Sequence, residues 1–149
     1  MTAQEPPRLL ITLDDSSPPP PNFSPAVRVG DQVFVAGMVS MSGGEVIGQG
    51  DIVAQARQAL DNVETALRRA GARFDEIVRY RVYLTDMNDL PGVRVVLNER
   101  FGSIRPAGTL VAVTSLVRPE LKIEIDADAI SGSASTDTAQ ARQSGRSKA

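Results

Sequence analysis

Apolar and polar positions alternate or recur with two distinct periods along the middle of this chain. Val27 to Val29 and Val33-Phe34-Val35-Ala36 flank Gly30-Asp31, a pattern that predicts two short strands around a turn. Met41-Ser42-Gly43-Gly44-Glu45 reads as a loop. The period then changes. Ile52, Val53, Ala56, Leu60, Val63 and Leu67 recur at helical spacing, with Asp51 as N-cap and Gly71 as the stop. Ile77 to Leu84 is rich in β-formers and predicts a strand. Leu90 to Phe101 predicts a second helix, with Pro91 tolerated in its first turn. Thr109–Val113 and Lys122–Ile130 predict two further strands.

The last of these strands divides cleanly. Ile123, Ile125, Ala127 and Ala129 share one face, and Lys122, Glu124, Asp126 and Asp128 share the other. Neighbouring carboxylates on one strand face repel unless water or a cation relieves them. A solvated face explains the pattern, and so does a face that partly lines a cleft. The element order (strands, helix, strand, helix, strands) predicts an α+β sandwich with two helices on one face of a mixed sheet. The other face then needs cover, and self-association into a symmetric ring is one way to supply it.

The ends differ from the middle. Ser16-Ser17-Pro18-Pro19-Pro20-Pro21 predicts extended polyproline II, so residues 1–22 read as a Pro-rich lead-in. Residues 131–149 hold no large apolar side chain after Ile130 and read as a disordered tail. The folded domain is expected over residues 23–130 of the 149. No apolar run approaches the roughly 18–20 residues a membrane span needs, and Leu9–Leu13 is too short for a signal peptide, so a cytoplasmic setting is expected.

Composition narrows the chemistry. Cysteine and histidine are both absent. Thiol catalysis, disulfides, imidazole bases and the commonest metal ligands go with them. Carboxylates, Arg, Lys, Tyr, hydroxyls and backbone groups remain. A net charge of −2 disfavours a phosphate-backbone partner. Few aromatics (4 Phe, 2 Tyr, no Trp) disfavour a single-strand stacking platform. No nucleic-acid or membrane partner is expected. Ser42-Gly43-Gly44 lacks the lysine and spacing of a phosphate cradle, so no cofactor is implied. No metal constellation is present either, since one strand's carboxylates converge poorly on a cation.

Several segments together resemble one family. Ala26–Gly37 (AVRVGDQVFVAG) and Asp51–Val63 (DIVAQARQALDNV) are similar to the first hairpin and first helix of the RidA (YjgF) family. Asp75–Val78 and Val82–Asp89 resemble its central strand and following turn. Arg105-Pro106-Ala107 and Lys122–Ala127 resemble its C-terminal signatures. The resemblance spans residues 11–130. It implies a chorismate-mutase-like α+β sandwich assembled as a homotrimeric barrel, with small-molecule clefts between subunits. It also implies deaminase chemistry, in which a 2-imino acid is hydrolysed to a 2-oxo acid and ammonia.

Carried over residue by residue, the site is mixed. Glu124 matches the family's glutamate, which orients the hydrolytic water. Gly108 stands where the substrate-gripping arginine follows the Pro-Ala pair. Thr109 keeps the small polar residue after it, and Leu110 takes the next position. Phe23 matches the family's tyrosine without its hydroxyl. Ala36, before the strand-end Gly37, replaces a common serine, and Arg94 replaces a cleft-side asparagine of some members. A substrate carboxylate left unpaired in a desolvated cleft costs about 3–5 kcal/mol, a factor of about 100 or more in binding or rate. Ordinary imine deaminase activity is therefore expected to be weak or absent.

Alternatives stay open. Arg94 would replace the lost carboxylate grip, or serve only as a solvated helix residue or an intersubunit ion pair. Arg105 and Arg118 are weaker candidates. Gly108 would accommodate the backbone or enlarge the cleft. The chain would be a divergent enzyme for a less polar imine, enamine or related carbonyl intermediate, or a metabolite-binding trimer without turnover. Ribonuclease activity fits poorly, because the sequence supplies neither a histidine nor a basic face.

Overall fold

The computed structural model describes residues 3–134. Six strands form one mixed sheet in the order β1-β2-β3-β8-β6-β7. They are β1 (Arg8–Ile11), β2 (Ala26–Val29), β3 (Gln32–Val39), β6 (Ile77–Leu84), β7 (Ala107–Ala112) and β8 (Ile123–Ile130). The pairs are antiparallel except β6 with β7, which run parallel. A parallel pair needs a crossover, and α2 (Leu90–Phe101) supplies it. The longer helix, α1 (Ile52–Arg69), lies across β3 and β8 with α2 beside it.

The α1 boundaries follow from local chemistry. The Asp51 side chain accepts from the Ala54 N–H at 3.0 Å, and Gly71 takes the left-handed conformation just past the end, at φ +79°. Leu60, Val63 and Leu67 are completely buried, and Ala56, Ala59 and Ala66 between them let the helix sit close to the sheet. Burying each large aliphatic stabilises by about 1.5–3 kcal/mol. Ile123, Ile125, Ala127 and Ala129 meet them from β8.

One polar side chain sits among these apolar ones. Gln55 is completely buried. Its amide donates to the Glu120 carbonyl at 2.9 Å and the Gly48 carbonyl at 3.2 Å, and its oxygen accepts from the Lys122 N–H at 2.8 Å. Gln55 thus fastens the start of α1 to the segment entering β8.

Two expectations need correction. The lead-in contributes a fold element: Arg8–Ile11 pairs with Ala26–Val29 as an edge strand, and Arg69 of α1 holds the following turn through the Thr12 carbonyl and Asp15. Leu9 and Leu10 remain exposed, so the apolar run by itself gave no strand signal. The Met41–Glu45 loop is a hairpin of β4 (Met41–Ser42) and β5 (Glu45–Val46), closed by Gly43 and Gly44, both at positive φ. The carboxylate face of β8 is only partly solvated, as described next. The expected disordered tail lies largely outside the described residues.

Candidate functional site

The face of the sheet away from the helices carries the ionisable groups. Arg81 on β6 stands directly opposite Asp126 and bonds to it at 2.7 Å. Its other nitrogen reaches Asp128 at 3.4 Å. The Tyr83 hydroxyl donates to Asp126 at 2.8 Å, which pushes the phenol's own pKa up. Lys122 pairs with Asp89 at 3.2 Å. The repulsion read from the strand is thus relieved by β6 for Asp126 and Asp128.

Glu124 is the exception. It is half-buried, and no donor among the described residues offsets its desolvation. Burial first, and the Asp126 charge second, push its carboxyl above the ordinary value of 4.5. It also presses on Gly37. The β3–β8 register shifts between Val35 and Met38, leaving Ala36 and Gly37 as a bulge. A Cβ on Gly37 would stand 2.3 Å from Glu124 Oε1 and 2.8 Å from its Cδ. Glycine here is required by the carboxylate rather than by backbone conformation.

Two expected outcomes follow. A Gly37→Ala variant should keep its fold, since the first atom displaced ends a flexible side chain. It should move Glu124 and lower any Glu124-dependent activity by about tenfold or more; melting temperature and turnover of one preparation check both halves. The second concerns pH. The folded state holds the Glu124 proton more tightly than the unfolded chain. That stability is fully present below the ordinary carboxyl value and is lost as pH rises through the raised folded value. Glu124→Gln removes the loss. The variant should melt above the parent near about pH 8, with the gap closing towards about pH 4.

The expected site residues fall into two groups. Phe23, Ala36 and Gly37 line an apolar cavity of about 210 Å³ with Leu13, Pro20, Pro25, Met38, Val39, Met41 and Asn62. Glu124 adjoins it through Gly37. Asn62 closes one end, donating to the Val39 and Met41 carbonyls at 2.9 Å each. Arg94 and Leu110 line a second cavity, about 490 Å³, with Tyr80, Met87, Leu90, Leu97 and Asn98. Its neighbour, about 270 Å³, shares Tyr80, Leu97 and Asn98 and adds Arg105, which has a left-handed φ of +54°. Thr109 is exposed on β7, opposite Arg81 in register. Arg118 lies 3.5 Å from Glu120, away from both groups.

One chain does not bring these groups together. β3 and β7 are separated by β8 and β6 in the sheet. Three strand steps span roughly 14 Å. Glu124 faces away from the helices, whereas Leu110 and Tyr80 pack on the helix side.

Within one chain, the surroundings of Gly108 are set by backbone and by Tyr80. Its φ is not left-handed, so the backbone does not demand glycine. Nor does glycine leave free room. A Cβ there would stand 2.6 Å from Tyr80 Cζ and 2.7 Å from Tyr80 Oη. Tyr80 was not among the residues the sequence pointed to. Its signal lies in the parallel register that sets it opposite Gly108.

Fold and site define a two-layer α+β protein with an apolar core, ionisable groups on the open sheet face and a groove beside α2. A family model described as endoribonuclease L-PSP matches residues 15–131. A RutC family protein of Pyrococcus abyssi is 36% identical over 107 residues, 70% of this chain and 83% of that protein. The 2-iminobutanoate/2-iminopropanoate deaminase of Mus musculus is 34% identical over 112 residues, 74% of this chain and 82% of the mouse protein. The crystal structure of a YjgF/YER057c/UK114 family member from Mycobacterium tuberculosis matches with a TM-score of 0.71 at 38% identity, over 83% of this chain and 99% of that one. The chain belongs to the RidA (YjgF) family, whose members include imine deaminases. Among the described residues no helix is long and apolar enough to cross a membrane.

Proposed function

We propose that this chain hydrolyses an imine, enamine or related carbonyl intermediate less polar than the small amino-acid-derived imines, in a cleft between subunits of a cytoplasmic homotrimer. The observation that carries the reading is Glu124. It alone on its strand face lacks a donor among the described residues, and its raised pKa brings it closer to neutral pH, where a general base works best. Water adds to the C=N carbon as Glu124 takes its proton. Glu124 returns that proton to nitrogen to give the carbinolamine; it then takes the carbinolamine's hydroxyl proton and delivers it to the same nitrogen as the C–N bond breaks, so that ammonia leaves and the carbonyl product remains. Thr109 and the backbone N–H groups near Gly108 would polarise the substrate from the neighbouring subunit.

Two features support the cleft. The residues that would share it lie too far apart within one chain. Phe34 and Val111 are exposed at 45% and 42% in the single chain, which favours a covered assembly. The apolar lining around Phe23 favours a substrate with an apolar body.

The test is ammonia release from imino acids generated in situ by an amino-acid oxidase. The leucine-derived imine should be hydrolysed faster than in buffer and faster than the alanine-derived one. No acceleration for either would defeat the proposal.

A further inference from the structure

We infer that Tyr80 is a specificity-determining residue that closes position 108 to any side chain and, with Arg94, forms the anion-recognising end of a groove with one apolar wall. The inference rests on the cleft reading above and deepens it by naming the ligand class: a carboxylate on an apolar body larger than a short alkyl group.

The first support is steric. Tyr80 and Gly108 are direct partners across the parallel pair, and the phenol ring stands where a residue 108 side chain would begin. The ring is also held in place. It stacks on Phe101 with centroids 4.4 Å apart and planes within 2°. Phe101 stacks on Phe74 at 5.1 Å, and the Arg100 guanidinium lies over the Phe74 ring, 4.4 Å from its centroid. Arg100 is itself fixed by Asp61 and Glu64, each at 2.8 Å. The rotamer that blocks position 108 is therefore the end of a clamped aromatic column and cannot easily yield.

The second support is polar. Arg94 and Asn98 lie one helical turn apart on α2 and line the same groove as Tyr80. Arg94 has no acidic partner within ion-pair distance among the described residues. Its guanidinium is free to take a carboxylate in a two-pronged contact. The Tyr80 hydroxyl and Asn98 amide are available as further donors. Met87, Leu90, Leu97 and Leu110 supply the apolar wall.

The experiment uses the full chain, with melting temperature and calorimetric titration as readouts. Probes are phenylpyruvate and pyruvate; variants are Gly108→Arg, Tyr80→Thr, their double, and Arg94→Gln. The parent should bind phenylpyruvate at least about tenfold more tightly than pyruvate, and Arg94→Gln should lose about tenfold or more. Gly108→Arg alone should melt below the parent and gain no pyruvate affinity. In the Tyr80→Thr background the same substitution should cost far less in melting temperature and should gain pyruvate binding.

Equal melting costs of Gly108→Arg in both backgrounds would overturn the inference. So would a parent that ignores phenylpyruvate, or an Arg94→Gln variant that binds it unchanged. Neither readout involves turnover. A chain that shows this reciprocity yet releases no ammonia defeats the hydrolase reading alone, and turnover without reciprocity defeats this one alone.

Discussion

Replacing Glu124 by glutamine is expected to lower imine hydrolysis by about 10²–10⁴-fold, the usual contribution of a positioned general acid or base. The change is nearly isosteric, so the contact with Gly37 and the β8 register persist. What disappears is the ability to accept a proton from water and return it to the leaving nitrogen. Asp126 does not compensate. Its carboxylate oxygens already accept from Arg81 and the Tyr83 hydroxyl, so neither is open to a substrate water. The drop should fall on kcat, since water activation belongs to the chemical step rather than to ground-state binding. Steady-state ammonia release by parent and variant, with circular dichroism as the folding control, checks this. A raised KM with unchanged kcat would recast Glu124 as a substrate-binding group.

Replacing Gln55 by leucine is expected to destabilise the fold by about 3 kcal/mol or more. Three backbone groups lose their partner at once: the Gly48 and Glu120 carbonyls and the Lys122 N–H. A buried polar group left unpaired costs about 1–3 kcal/mol. Leucine recovers part of this through apolar burial, which is why the expected loss sits at the low end of the sum. Urea unfolding should show a lower midpoint with an unchanged slope. Because Lys122 precedes Ile123 and Glu124, a partly folded variant should also lose activity. A variant as stable as the parent would mean that Gln55 is dispensable to the joint between α1 and β8.

Much of the fold was legible because its signals are local. The period-two pattern of Ile123–Ile130, the helical spacing after Asp51 and the stop at Gly71 each need only neighbouring residues. Arg8–Ile11 escaped because a short exposed edge strand beside a proline run has no period to read. The Gly43-Gly44 hairpin carries only its turn signal, two adjacent glycines, because strands of two residues each are too short to show a period. Gln55 was findable in principle, since its spacing from Ala59 places it on the buried helix face.

The site divides along the same line. Glu124 was legible from its strand and its family position, and its distinction from Asp126 and Asp128 was not. That distinction depends on Arg81 and Tyr83, which reach β8 only through the β6–β8 register. Gly108 was legible as an absent arginine. The Tyr80 ring that fills the space beside it lies 28 residues earlier and meets it only across the parallel pair. Long-range register is thus the information a pass along the chain lacks.

The central claim is that two half-sites from different subunits form each working cleft. Subunit mixing tests it most directly. Glu124→Gln and Arg94→Gln each disable one half, and neither homotrimer should hydrolyse the leucine-derived imine appreciably. In trimers co-assembled from equal amounts of the two variants, about a quarter of the clefts pair an intact half from each neighbour. Ammonia release should recover to about that fraction of the parental rate. No recovery in verified mixed trimers would place both groups in one chain's site and contradict the account.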